Sequence, residues 1–179
     1  PNEDYAREVL QLFSIGTFLL HQDGTRQLDS GNNPIPSYDQ KTVTEFARVF
    51  TGLWFGGQSW GNGGWTDDDS SVPMQMWAEK HDFGAKTLHN GFVIPVRAPT
   101  VENGLKDVDD ALRNLFEHPN IAPFISRQLI QFLVTSNPSS NYVARVAAKF
   151  ANNGSGKRGD LAAVVKAILL DSEARDARW

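Results

Sequence analysis

The stretch Ile121–Val134, "IAPFISRQLIQFLV", decides how the rest of the chain is read. Phe124, Ile125, Leu129, Ile130, Phe132 and Leu133 recur at helical spacing and leave no wide polar face, with Arg127 and Gln131 on the one polar strip. A helix that is apolar on nearly all sides belongs inside a fold, so this segment is expected at the centre with other helices round it. Gln128 projects among Phe124, Ile125 and Phe132. Its amide is therefore expected to be buried and hydrogen-bonded, because an unpaired one costs about 1–3 kcal/mol. Arg127 is expected as a buried cation that a carboxylate must partner.

Working outward, Val101, Leu105, Val108, Leu112, Leu115 and Phe116 predict a helix from about Val101 to Glu117, stopped by "HPN". On the other side Asn137 caps a helix with Pro138 at its first position and Val143, Val146, Ala147 and Phe150 inward. Asp160 caps a last helix, Leu161 to about Leu170, with Val164, Val165, Ile168 and Leu169 inward. At the start of the chain Asn2 caps a helix whose inward face is Tyr5, Val9, Leu12 and Phe13, with Ala6 and Leu10 at its margin and Gly16 near its end. Ser37 and Gln40 form a capping box for a helix from about Tyr38 to Thr51, carrying Val43, Phe46, Ala47 and Phe50.

Three stretches are not helical. Gln22 to Pro36 is turn-rich and reads as a surface loop. Residues 52–71, "GLWFGGQSWGNGGWTDDDSS", hold six glycines and three tryptophans and cannot be regular structure for long. In "KTLHNGFVIP" the pair Asn90-Gly91 separates two short apolar runs, which predicts a small β-hairpin. The expected fold is mainly α, with about six helices packed round a central one, one hairpin and a Gly/Trp-rich loop.

The chain has 179 residues, enough for one domain with its own core. It has no cysteine, which excludes disulfides, thiolate nucleophiles and zinc sites of the finger type. Residues 1–90 hold 12 acids against 6 bases, and residues 91–179 hold 9 against 11. No Lys/Arg stripe follows from that distribution, so nucleic acid is not expected as a partner. The apolar runs are too short for a membrane span. The chain opens on a helix already under way and without Met, and is read as a single helical domain, residues 1–179, from the C-terminal part of a longer polypeptide.

Three constellations have chemical potential. Asp4 and Glu8 lie four apart on one helix face with no base between them. They are either a solvated first turn favoured by the helix dipole or, if Glu8 reaches Arg127 or the "HDFGAKT" turn, a buried pair. In "EKHDFGAKT", His81 and Asp82 offer an imidazole and a carboxylate. Neighbours in an extended segment point to opposite sides, and Asp82 has the simpler role of closing an Asx turn onto Gly84 or Ala85. Trp54, Trp60 and Trp65, with Asp67, Asp68 and Asp69 nearby, suit a platform for sugar rings, or else a lid over the preceding helix. The Asp spacing is no EF-hand loop, and no metal or other cofactor is expected.

The ordered set "NEDYARE", "HDFGAKT", "LFEHPNIAPFISRQLIQFLV" and "GDLAAVVKAILLDSEAR" resembles the C-terminal half of the bacterial domain-of-unknown-function family numbered 1800, over almost the whole chain. The resemblance implies a mostly helical fold inside a longer, often exported protein, hence a periplasmic or extracellular location, and it implies no established activity. The expected role is a non-catalytic binding or assembly module at the cell envelope, meeting a glycan or an exported partner through the Gly/Trp loop, with the remainder of its own polypeptide as a further partner expected on the Ala6 and Leu10 margin of the first helix. The alternative is a hydrolase-type enzyme using His81 with Asp82 or Glu8.

Overall fold

A computed structural model describes residues 1–61, 64, 65, 69 and 71–176, with backbone alone at 60, 61, 64 and 65. The fold is mainly α with small antiparallel strand pairs, in the order α1 (Glu3–Gln11), α2 (Gln40–Val49), β1 (Leu53–Trp54), β2 (Trp60–Gly61), β3 (Gly64–Trp65), β4 (Gln75–Met76), β5 (Lys86–Thr87), β6 (Val93–Ile94), α3 (Val101–Phe116), α4 (Ile121–Leu133), α5 (Ser140–Ala151), α6 (Leu161–Leu170) and α7 (Ser172–Arg175). None of the helices among the described residues is long and apolar enough to cross a membrane. The chain divides into two compact units, one of Pro1–Arg7 with Gln40–Asn114, the other of Glu8–Asp39 with Leu115–Trp179.

In the first unit Asn2 caps α1 as its sequence predicts, its Oδ1 accepting the Tyr5 N–H at 2.9 Å. Glu3 accepts hydrogen bonds from Gln40 Nε2 at 2.8 Å and Thr44 Oγ1 at 3.0 Å, tying the start of α1 to α2. α2 buries Val43, Phe46, Ala47 and Val49. β1 pairs with β4, Leu53 opposite Met76. β2 pairs with β3 inside the Gly/Trp stretch, Trp60 opposite Trp65. The Asn-Gly hairpin is present as β5 and β6, Lys86 opposite Ile94 and Thr87 opposite Val93. Its loop is longer than a two-residue turn, and Asn90 (φ 55°) and Gly91 (φ 70°) take its left-handed positions.

The second unit has its core on α4, α5 and α6: Ile121, Ala122, Ile130, Tyr142, Val143, Val146, Ala147, Phe150, Val164 and Ile168. Tyr142, fully buried, donates its hydroxyl to Ile168 O at 2.7 Å. Residues 17–37, expected to be a plain loop from Gln22 onward, run as three extended passes bridged at Phe18–Pro36, Leu20–Arg26 and Leu28–Pro34. Asn120, with no exposed surface, pins them: Nδ2 donates to Ile15 O (2.8 Å) and Phe18 O (2.7 Å), and Oδ1 accepts from Leu20 N (2.9 Å).

The orientation of several helices differs from the sequence reading. α4 is not buried all round: Phe132 is 85% exposed and Leu133 48%, while Ile121, Ala122, Pro123, Ser126 and Ile130 form the inward line. α5 holds the larger share of the core. α1 buries Ala6 and Leu10 and leaves Tyr5, Leu12 and Phe13 largely exposed. α3 likewise turns Gly104, Asp107, Ala111 and Leu115 inward and Val101, Leu105 and Leu112 outward. Small residues let a helix approach its neighbour closely, as where Gly104 sits against the Met76 side chain, and close approach outweighs the burial of one larger apolar group. The α5 cap also moves, from the expected Asn137 to Ser139, whose hydroxyl accepts the Tyr142 N–H at 3.1 Å and donates to Glu173 at 2.5 Å.

Candidate functional site

"EKHDFGAKT" builds the most polar interior among the described residues, inside the first unit. A 3-10 turn at Ala78–Lys80 delivers His81 in extended conformation, so the side chains of His81 and Asp82 leave on opposite sides. The chain turns in beside Gly52 (φ +78°), where a Cβ would stand 2.7 Å from Trp77 O. Only glycine fits there, both for the dihedral and for the space.

His81 points inward, with no exposed side-chain surface. Its Nδ1 lies 2.7 Å from Thr51 O. Its Nε2 faces Asp107 Oδ2 at 3.2 Å, and Phe83 packs edge-on with ring centres 4.6 Å apart. Asp107 also accepts from Lys86 Nζ at 2.7 Å and from Arg97 Nη1, while Lys86 gives a second hydrogen to Gly84 O at 3.0 Å. Arg97 closes the cluster on Asp110 at 2.5 Å. Burial pushes the Asp107 carboxyl up, but the hydrogen bonds from Lys86, His81 and Arg97 and the Lys86 charge outweigh it, and the group lies below the ordinary carboxylate range.

Asp82 goes the other way. Arg48 clasps it through Nε (2.7 Å) and Nη2 (3.2 Å), and Asp82 Oδ1 accepts the Gly84 N–H at 2.8 Å, the Asx turn its sequence predicts. Hydrogen bonding from Arg48 is the chief reason its pKa falls to about 2. Arg48 Nη1 also binds both oxygens of Glu45 at 3.0 Å, and Glu45 accepts the Thr87 N–H at 2.9 Å. His81 and Asp82 therefore each have a partner set, and the two sets are different. Asp107, the partner of His81, lies off the stripe of large apolar side chains that defines α3 in the sequence. A carboxylate on the same stripe as Gly104 and Ala111 is the signal that marks it.

Glu8 and Asp4 are exposed, on the side of α1 opposite Ala6 and Leu10. Glu8 makes no side-chain hydrogen bond or ion pair among the described residues. Its expected bond to Arg127 or to the "HDFGAKT" turn is not made, because α1 is turned so that Glu8 faces water. Arg127 is exposed and Gln128 half-buried, in place of the buried pair expected, and Gln128 donates to Leu12 O at 3.3 Å. His21 is exposed. His89 is buried against Phe46 with ring centres 5.7 Å apart. His118 is buried too, its Nδ1 accepting the Asn120 N–H at 3.1 Å.

The aromatic stretch has one described platform. Trp54 (49% exposed) and Phe55 (57%) stand edge to face at 6.2 Å, and Gly52, Trp54, Trp77 and Lys80 line a cleft of about 90 Å³. Trp54 Nε1 donates to Gln58 Oε1, which fixes the indole. Asp69 is exposed and accepts from Ser71 N (2.9 Å) and Oγ (2.6 Å), the bonds of a turn residue. The side chains of Trp60 and Trp65, and Asp67 and Asp68 altogether, lie outside the described residues.

No curated protein and no solved structure matches this chain. The sequence blocks "HDFGAKT" and "EHPN", which here build the buried ion cluster and the Asn120 clasp, fall within a match to a family model described as "Protein of unknown function (DUF1800)" and covering residues 1–178, and the chain belongs to that family.

Proposed function

We propose that this chain is a non-catalytic binding or assembly module of an exported bacterial envelope protein, holding a glycan or a protein partner on the aromatic surface round the Gly/Trp stretch. The observation that carries the reading is the Trp54–Phe55 pair, half exposed and held in place beside the Trp77 cleft. Aromatic faces with polar groups at their edge suit sugar rings, and Lys80 and Gln58 supply such groups here. The exposed row Val101, Leu105 and Leu112 on α3 favours a further contact with a protein surface, including the remainder of the same polypeptide.

The hydrolase reading has less support. A general base needs reach to a substrate atom, and the side chains of His81, Lys86 and Asp107 have no exposed surface. Tryptophan fluorescence titrated with N-acetylglucosamine oligomers tests the binding reading. Saturable quenching is expected, weakened about tenfold in Trp54→Ala, a loss of about 1.4 kcal/mol. Equal titrations of both proteins, or a hydrolytic activity lost in a folded His81→Gln variant, would overturn it.

A further inference from the structure

The second unit contains a cleft that the aromatic surface does not involve. It has a volume of about 370 Å³ and lies between the first extended passes after α1 and the exposed side of α4. Arg26, Arg127, Gln128, Gln131 and Thr17 supply its polar lining, and no carboxylate is among the lining residues. Neither arginine makes an ion pair or a hydrogen bond through its side chain among the described residues. Arg26 is positioned all the same, its guanidinium 4.6 Å from the centre of the Phe18 ring. Both glutamines are fixed by donating their amide hydrogens to backbone, Gln128 to Leu12 O at 3.3 Å and Gln131 to Ser136 O at 3.0 Å. Each amide nitrogen keeps a second hydrogen that an oxyanion can accept.

The same two glutamines form the border of a neighbouring cleft of about 510 Å³, whose other walls are Leu12, Phe13 and Phe132. Phe13 is 69% exposed and Phe132 85%, so two large apolar surfaces stand in water beside two uncompensated positive charges. An occupant that matches both halves has an acidic head and an apolar body.

We propose that these joined clefts bind a small amphiphilic anion, its carboxylate or phosphate held by Arg26 and Arg127 and its apolar part laid against Leu12, Phe13 and Phe132. Planar guanidinium forks suit either head group through paired N–H···O bonds. The apolar body supplies the burial that an exposed ion pair alone lacks.

The test is calorimetric titration of the chain with decanoate and with decyl phosphate, each kept below its micelle concentration, beside decanol, acetate and inorganic phosphate. Saturable binding of at least one amphiphilic anion is expected, and the stronger of the two identifies the head group. Arg127→Gln and Arg26→Gln should each weaken it about tenfold, one charge-assisted contact's worth. Phe132→Ala should weaken it too, and all three variants should keep the parent melting temperature because these side chains are exposed. Absence of saturable binding by either amphiphile, decanol binding as tightly as the anions, or full affinity in both arginine variants overturns the proposal. A failure here leaves the Trp54 titration untouched, since that surface belongs to the other unit.

Discussion

Asp107 takes hydrogen bonds from one lysine and one arginine and faces one histidine, in a place water does not reach, and that arrangement sets what a single substitution does there. Asp107→Asn keeps the shape but leaves the Lys86 ammonium, which has no exposed side-chain surface, without its countercharge. Uncompensated buried charge is costly, so the variant should lose about 3–5 kcal/mol by urea unfolding. Glu8→Gln, on an exposed face, should change stability by less than about 0.5 kcal/mol. If the two substitutions cost the same, the cluster is not the keystone of its unit. At this scale the sequence was partly legible. The opposed directions of His81 and Asp82 and the Asx turn follow from local geometry. The pairing of His81 with a residue 26 positions away does not, because it is made only when α3 packs.

α4 separates position from orientation. The helix spans Ile121–Leu133, within one residue of the sequence reading, yet Ile130 is fully buried and Phe132 85% exposed on the same element. Ile130→Ala should cost about 2–5 kcal/mol, as removal of a core side chain does. Phe132→Ala should cost under about 0.5 kcal/mol. Thermal or urea unfolding of the two variants compares them directly, and equal losses would mean that Phe132 is covered in solution. The ends of elements were readable because caps are local: Asn2 and Asp160 each accept an amide three residues on. The rotation of α1 and α3 was not. It depends on which stripe lets another element come close, and the stripe chosen carries Ala6, Gly104 and Ala111 in preference to the larger apolar residues beside it.

For the molecule as a whole, His118 and Asp82 are two of the groups through which acid acts, in different pH windows. His118 is buried, and burial holds its pKa below the ordinary value of 6.5. Above that value the ring is neutral folded or unfolded, and below it the unfolded chain takes up a proton that the folded one resists. Stability is therefore lost as pH falls below about 6.5 towards the folded value. Urea midpoints measured from pH 7.5 to 5 should decline in the parent and decline less in His118→Gln, whose amide oxygen can still accept from Asn120. Asp82 acts in a lower window, with a folded pKa of about 2 against an unfolded value near 4. Its contribution is complete above about pH 4 and goes as pH approaches 2, and solvent screening at this partly exposed pair keeps it small. The order in which the chain is made adds a further consequence. The Asn120 amide binds backbone groups 100 to 105 residues earlier, and the second unit that it closes is interrupted in sequence by Gln40–Asn114. A ribosome adding about 5–20 residues per second leaves the early segment waiting about 5–20 s for its clasp. Through that interval residues 17–37 can pair with one another, but Ile15 O, Phe18 O and Leu20 N, the groups Asn120 binds, stay open, and they are where a chaperone has most reason to bind a nascent chain of this kind.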